Sequence, residues 1–336
     1  MPHSQEQIID NVQLYKGPET GEPSFRIYDS VLEGRFEIVK GPLFNNATTL
    51  PYGKDADVYS PPVTEIYEAV DWDNKNDQTV AVKTFKPNSE GLRQDVQREL
   101  TAHALLSGNQ GIVEVEYVGP VNEGPVPQHV LITRMAEGTV LDYINNIEDT
   151  QRQKVALQIA SKILPGLVVM HDIGLVHKDI KAANILRQKN GQQMDYFLTD
   201  FGLIRATEAR LKALTDPREI KLWTALKAQG VTGSLNYIAP ELINDPDLVT
   251  PAIDIYSLGS TLYRVLTGQK PFVSRTFTEY AREVNYGVDF RPNQLNFSVS
   301  HEVSELIMDC LSVDPVKRPS SQTVLKRVEE LQANLE

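Results

Sequence analysis

A chain of 336 residues with 33 Lys and Arg against 45 Asp and Glu carries a net charge of −12. That balance excludes nucleic-acid binding through a broad basic surface and makes basic peptides or proteins the more natural partners. With 41% hydrophobic and 23% charged residues and 20 each of Gly and Pro, the composition is that of a folded globular protein large enough for two lobes, neither fibrous nor disordered.

The opening run MPHSQEQIID lacks the basic-then-apolar order of a secretion signal, and residues 1–34 read as a polar N-terminal extension rich in turn residues. The best apolar run, Ile163 to Met170, falls far short of the ~18 residues of a membrane span. The expectation is a soluble, cytoplasmic protein. Cys310, the single cysteine, has no partner for an internal disulfide and reads as a small buried hydrophobe.

Three antiparallel strands are predicted from the alternating or β-branched runs Arg35 to Lys40, Val63 to Val70 and Thr79 to Phe85. Ser89 to Leu106 follows as a helix, with Leu92, Val96, Leu100 and Ala104 on one stripe and Ser107-Gly108 as its stop. Val113 to Val118 and Val130 to Thr133 add two strands to this small sheet. Beyond residue 138 the pattern turns helical, with helices predicted over Thr150 to His171 and near 254–267, 277–285, 301–311 and 320–333. The fold class is therefore α+β, with a sheet-rich lobe, a helix-rich lobe and a ligand expected in the cleft between them.

The run His177-Lys178-Asp179-Ile180-Lys181-Ala182-Ala183-Asn184, followed by Asp200-Phe201-Gly202, carries the chemistry. It resembles the catalytic loop H-R-D-L-x-x-x-N and the metal-binding turn D-F-G of the eukaryotic-type protein kinases. Phosphoryl transfer needs cations to neutralise a polyanion and a group to hold the attacking hydroxyl in line, which is why those residue types recur. The resemblance implies that Asp179 orients or accepts the substrate hydroxyl proton and that Asn184 and Asp200 offer oxygens to Mg2+ beside the phosphates of ATP. Lys181 is similar to the lysine of the serine/threonine branch that contacts the transferred phosphate.

The remaining pieces come in family order. Val80-Ala81-Val82-Lys83 resembles V-A-I-K, whose lysine pairs nucleotide phosphates and a helix glutamate, here Glu99. Thr133 takes the gatekeeper place, and the backbones of Arg134 and Ala136 the adenine-binding hinge. Gly233 to Glu241 resembles the segment ending in A-P-E that forms the peptide platform, with Ser234 where threonine is usual. Asp254 is similar to the helix aspartate that braces the catalytic loop, and Arg318 to the arginine that pairs with the A-P-E glutamate.

The resemblance implies a two-lobed kinase domain over 35–331, with a small lobe at 35–136 and a helical lobe at 137–331. The implied activity is transfer of the ATP γ-phosphate to a serine or threonine of a protein, autophosphorylation included. The glycine-rich phosphate cover is absent. The connection from Pro42 to Pro62 is about twenty residues long, holds only Gly53 and is unusual inside a compact lobe. A redesigned lid using Lys54, Thr48 or Thr49, an inhibitory plug, and loss of nucleotide binding all fit it, so a pseudokinase scaffold or altered chemistry such as AMP transfer stands as the alternative. Lys178 replaces the usual arginine, which argues against control by phosphorylation of the activation segment. Part of that segment, between Arg205 and Gln229, is rich enough in Lys, Arg, Leu and Ala to form a helix.

Overall fold

In the computed structural model, residues 12–16, 25–29, 36–45, 64–71, 79–85, 94–123, 126–224 and 233–335 are described. They form two compact units, one of residues 1–107 with 113–136 and the other of 108–112 with 137–336.

The first unit holds strands β1 (Val12–Lys16), β2 (Phe25–Asp29), β3 (Phe36–Asn45), β4 (Thr64–Asp71), β5 (Thr79–Phe85), β6 (Val115–Glu123) and β7 (Val126–Arg134), with helix α1 (Gln94–Leu106). The strands close into a barrel in the order β1-β2-β3-β4-β5-β7-β6. Neighbours are antiparallel except at the closure, where Gln13 of β1 pairs in parallel with Asn122 of β6. Val96 and Leu100 of α1 pack on Phe85 and Leu131, the core beneath the helix.

The sheet starts before residue 35. Two of its strands lie in the segment 1–34 read as an extension, because VQLYK and FRIYD each alternate over only five residues among many turn formers. The first predicted strand also runs on to Asn45, through register shifts between Ile38 and Lys40 and between Lys40 and Phe44. Residues 46–63, and with them the candidate lid residues Thr48, Thr49 and Lys54, lie outside the described residues. β6 and β7 are likewise longer than predicted, because polar Asn122, Gln128 and His129 continue the ladder.

In the second unit, β8 (Gly138–Thr139) leads into α2 (Val140–Tyr143) and α3 (Asp149–Asp172). Then come β9 (Leu175–Val176), β10 (Ile185–Asn190), β11 (Gln193–Leu198), β12 (Arg205–Ala206), α4 (Glu208–Ala213), α5 (Pro217–Trp223) and α6 (Glu241–Asn244). Helices α7 (Pro251–Thr267), α8 (Phe277–Glu283), α9 (Pro292–Leu295), α10 (His301–Cys310) and α11 (Ser321–Ala333) complete it. β10 and β11 form a hairpin that the hydrophobic pattern did not predict, turning at Gly191 with φ 60°.

α7 is apolar on nearly every side and is correspondingly buried from Ile253 to Leu266, apart from Arg264. It packs against α3 and α10. Among the described residues, α3 alone is long and apolar enough to cross a membrane by length and composition, yet half of that apolar stretch is buried inside the protein. Gly166 of α3 lets the segment 108–112 lie on the helix, since a Cβ there would meet the Ile112 side chain and the Gln110 carbonyl within 2.8 Å.

Candidate active site

In the first unit, β5 turns Val80 and Val82 into the core, so Lys83 lies on the opposite face from them. Its ammonium reaches Oε1 of Glu99 at 2.5 Å, with the two side chains only 19% and 7% exposed. Shielding from water strengthens such a pair relative to a surface one. Thr133 is buried on β7, opposite Ala81 of β5. Arg134 donates its backbone N–H to Glu114 O at 3.3 Å and ion-pairs with the same residue at 2.9 Å. Ala136 is the last residue of this unit.

The catalytic-loop sequence of the second unit is organised by Asp254, a fully buried carboxylate on the first turn of α7. It accepts the backbone N–H groups of His177 and Lys178, each at 2.8 Å, and Nε2–H of His171 at 3.0 Å. Lys178 between these ties is at φ 67°, a conformation that side-chain-bearing residues rarely adopt. The two ring nitrogens of His177 tie separate parts of the loop together. Nε2 donates to Thr199 O at 3.2 Å, while Nδ1 accepts the Asp179 N–H at 3.3 Å.

These ties present Asp179 in a closed polar cluster. Its Oδ2 accepts from Lys181 Nζ at 2.6 Å and from Asn184 Nδ2 at 3.0 Å, and its Oδ1 accepts the Ser234 hydroxyl at 2.9 Å. Lys181 Nζ also donates to Ser234 Oγ at 2.8 Å, closing the ring. Asn184 Nδ2 donates a second time, to Asp179 O at 2.9 Å. Both amide donors are thus committed to Asp179, which turns the Oδ1 of Asn184 away as a free acceptor.

The Thr199 N–H donates to Asn184 O at 3.1 Å, so Asp200, the next residue, sits beside Asn184. Asp200 itself is at φ 64°, and Phe201 after it is fully buried against the His177 ring, centroids 5.2 Å apart. Among the described residues no three His, Cys, Asp or Glu side chains gather as a metal cage. One amide oxygen and one carboxylate fit Mg2+ of the kind that completes its octahedron with water and phosphate oxygens.

Lys178 does not point into this cluster. Its side chain is buried, and Nζ donates to the carbonyls of Pro246 at 3.3 Å and Leu248 at 3.4 Å. Burial first, and the neighbouring Arg205 charge second, push its pKa down to about 8 against the pull of Asp254, Asp247 and Asp245.

The platform from Gly233 to Glu241 hangs from helix hydroxyls that sequence reasoning did not single out. Ser257 donates to Tyr237 O at 2.8 Å, Ser260 to Asn236 O at 2.9 Å and Tyr280 to Ile238 O at 2.5 Å. Asn236 is at φ 72°. Glu241 accepts both Nη1 and Nη2 of Arg318, at 2.6 and 2.8 Å, a two-pronged pair whose arginine side chain is wholly buried. The segment before the platform forms two short helices, α4 capped by Thr207 and α5 capped by Asp216. The stretch 225–232, with Thr232, lies outside the described residues.

Residues 63–328 match the protein kinase domain family, and the chain belongs to that family. Members use ATP and magnesium and act on protein substrates. A probable serine/threonine-protein kinase of Dictyostelium discoideum is 27% identical over 79% of this chain and 15% of its own length. The serine/threonine-protein kinase drp72 of Corynebacterium efficiens is 29% identical over 76% of this chain and 46% of its own. A probable serine/threonine-protein kinase of Clostridium perfringens is 28% identical over 73% and 33%. The chain thus spans less than half the length of these relatives. The solved structure of the Rad53 kinase domain and SCD2 shares the fold at TM-score 0.57 and 21% identity, covering 78% of this chain and 85% of that one.

Proposed function

We propose that the protein is an ATP- and Mg2+-dependent serine/threonine protein kinase. The observation that carries this reading is the ring joining Asp179, Lys181, Asn184 and Ser234, which holds one carboxylate, one cation and one amide oxygen ready around a hydroxyl. Ser234 Oγ marks where an alcohol sits when it donates to Asp179.

Bound ATP and Mg2+ supply the transferable phosphoryl group and part of the charge neutralisation. Asp179 orients the substrate hydroxyl and takes its proton as the oxygen bonds to phosphorus. Lys181, 2.6 Å from that carboxylate, offsets negative charge on the moving phosphoryl group. Asn184 Oδ1 and the Asp200 carboxylate would hold the metal, which would neutralise phosphate charge there. Lys83, kept in place by Glu99, takes the nucleotide phosphates, while the hinge backbone of Arg134 and Ala136, with Thr133 behind it, takes the base.

No observation favours a catalytically dead scaffold, because Lys83, Glu99, Asp179, Lys181, Asn184 and Asp200 are all present. The test is transfer from labelled ATP to a generic protein substrate, with Asp179→Asn as the variant. Removing a positioned base costs about 10²- to 10⁴-fold in turnover. ATP binding measured by calorimetry should persist in the variant. Turnover equal to that of the parent would contradict the assignment.

A further inference from the structure

Three stretches of the second unit enclose a groove of about 960 Å³: the end of α3 and its turn at 171–174, α4 with the residues before it at 206–213, and the segment leading into α7 at 245–251. Its volume is that of a binding cavity, and it shares no residue with the Asp179 cluster.

The protein itself holds both sides of this groove in place. Thr207 donates its backbone N–H to Gly174 O at 2.9 Å and Arg210 donates through Nη1 to Ile173 O at 2.8 Å, which seats α4 on the end of α3. Gly174 permits the approach: it is at φ 73°, and a Cβ there would stand 2.8 Å from Arg210 Cβ. On the other side Lys178, which does not line the groove, fixes the Pro246 and Leu248 carbonyls at 3.3 and 3.4 Å. A site already formed spares a ligand the cost of ordering it.

The lining offers half-exposed Ile173, Leu211, Leu248 and Val249 to apolar side chains. Its exposed charges have one sign, since Asp172, Glu208, Asp245 and Asp247 come from all three stretches. The cationic side chains in the lining are committed. Arg210 is tied to Ile173 and lies 5.5 Å from the Trp223 ring centroid, and His171 is held between Asp254 and Ser321. Lys212 answers Glu208 at 2.6 Å, Asp172 accepts the neutral amide of Gln322 at 2.7 Å, and Lys178 is a single buried cation against both Asp245 and Asp247. The rim therefore keeps an acidic balance.

We infer that this groove is a docking site for a segment of a partner protein that carries apolar residues flanked by lysine or arginine. A second copy of the chain is the poorer occupant, because two molecules of charge −12 repel each other while a basic segment is drawn in. The inference is independent of the kinase reading, as it needs no phosphoryl transfer.

A random 12-residue peptide library displayed on phage, selected on the immobilised full chain, tests this without knowledge of the partner. Enriched peptides are synthesised and titrated by fluorescence anisotropy. They combine apolar residues with a net positive charge, and their binding weakens as salt rises. Asp245→Lys/Asp247→Lys binds them roughly tenfold more weakly than the wild type. Ala209→Trp, which adds bulk to the lining and changes no charge, gives a similar loss. Asp172→Lys repeats the charge reversal on another stretch, and circular dichroism verifies that each variant is folded. No enrichment over a blank surface, an enriched set without a basic excess, or equal affinity for the wild type and every folded variant would overturn the docking site. So would a dimer in sedimentation that Ala209→Trp breaks, since a second copy then fills the groove.

Discussion

Lys178 keeps a positive charge where water scarcely reaches, and its stability cost has a definite pH window. Its pKa falls from 10.5 to about 8 on folding, so between those values the unfolded chain binds the extra proton and stability rises with pH. The full cost, roughly 3 kcal/mol at most, is present below pH 8 and gone above about 10.5. Urea unfolding of the wild type and of Lys178→Met at pH 7.5, 9 and 10.5 should show the wild type gaining on the variant; a constant difference would refute this. Arg318 makes the opposite case, a buried cation with every donor engaged. Glu241→Gln leaves it without its counter-charge and should cost on the order of 3–5 kcal/mol in denaturant unfolding, far more than loss of a surface pair. The functional residue types were readable in the sequence because phosphoryl transfer dictates them. Ser234 was singled out but its bond to Asp179 was not foreseen, and the hydroxyls of Ser257, Ser260 and Tyr280 went unnoticed, since serine and tyrosine on a helix carry no signal of the distant backbone they hold.

At the level of elements, α7 sets the geometry of everything around it. Gly259 is where it approaches α10, and an added Cβ would stand 2.8 Å from Cys310 Cβ and 3.2 Å from Leu311 Cγ. Gly259→Ala should therefore destabilise by about 1–3 kcal/mol through overpacking, seen as a lowered Tm, with no loss of helix content in the folded state. Cys310 itself is fully buried, which pushes its thiol up to about 12 and leaves it chemically inert. The long helices were legible to within a few residues from their apolar stripes. The β10–β11 hairpin was not, because LRQKN and QMDYF show little alternation, although Asn190-Gly191 was a turn signal in plain view. β1 and β2 escaped for a related reason: five-residue strands fall below the length at which a period of two stands out from chance.

Across the whole molecule, the first unit differs from an open sheet in that β1 and β2 bridge β3 to β6. Deleting residues 1–30 would uncover backbone donors and acceptors along β3 and β6 together. The truncated protein should elute as oligomers in size-exclusion chromatography while the full chain at equal concentration does not; a monomeric truncation product would show that the closure is dispensable. The same closure also has a consequence in time. Gln13 waits for Asn122, so at roughly 5–20 residues per second a ribosome needs on the order of ten seconds between delivering the two. The β1–β2 hairpin therefore exists well before β6 is made, and through that interval its bare flank is open to whatever escorts nascent chains.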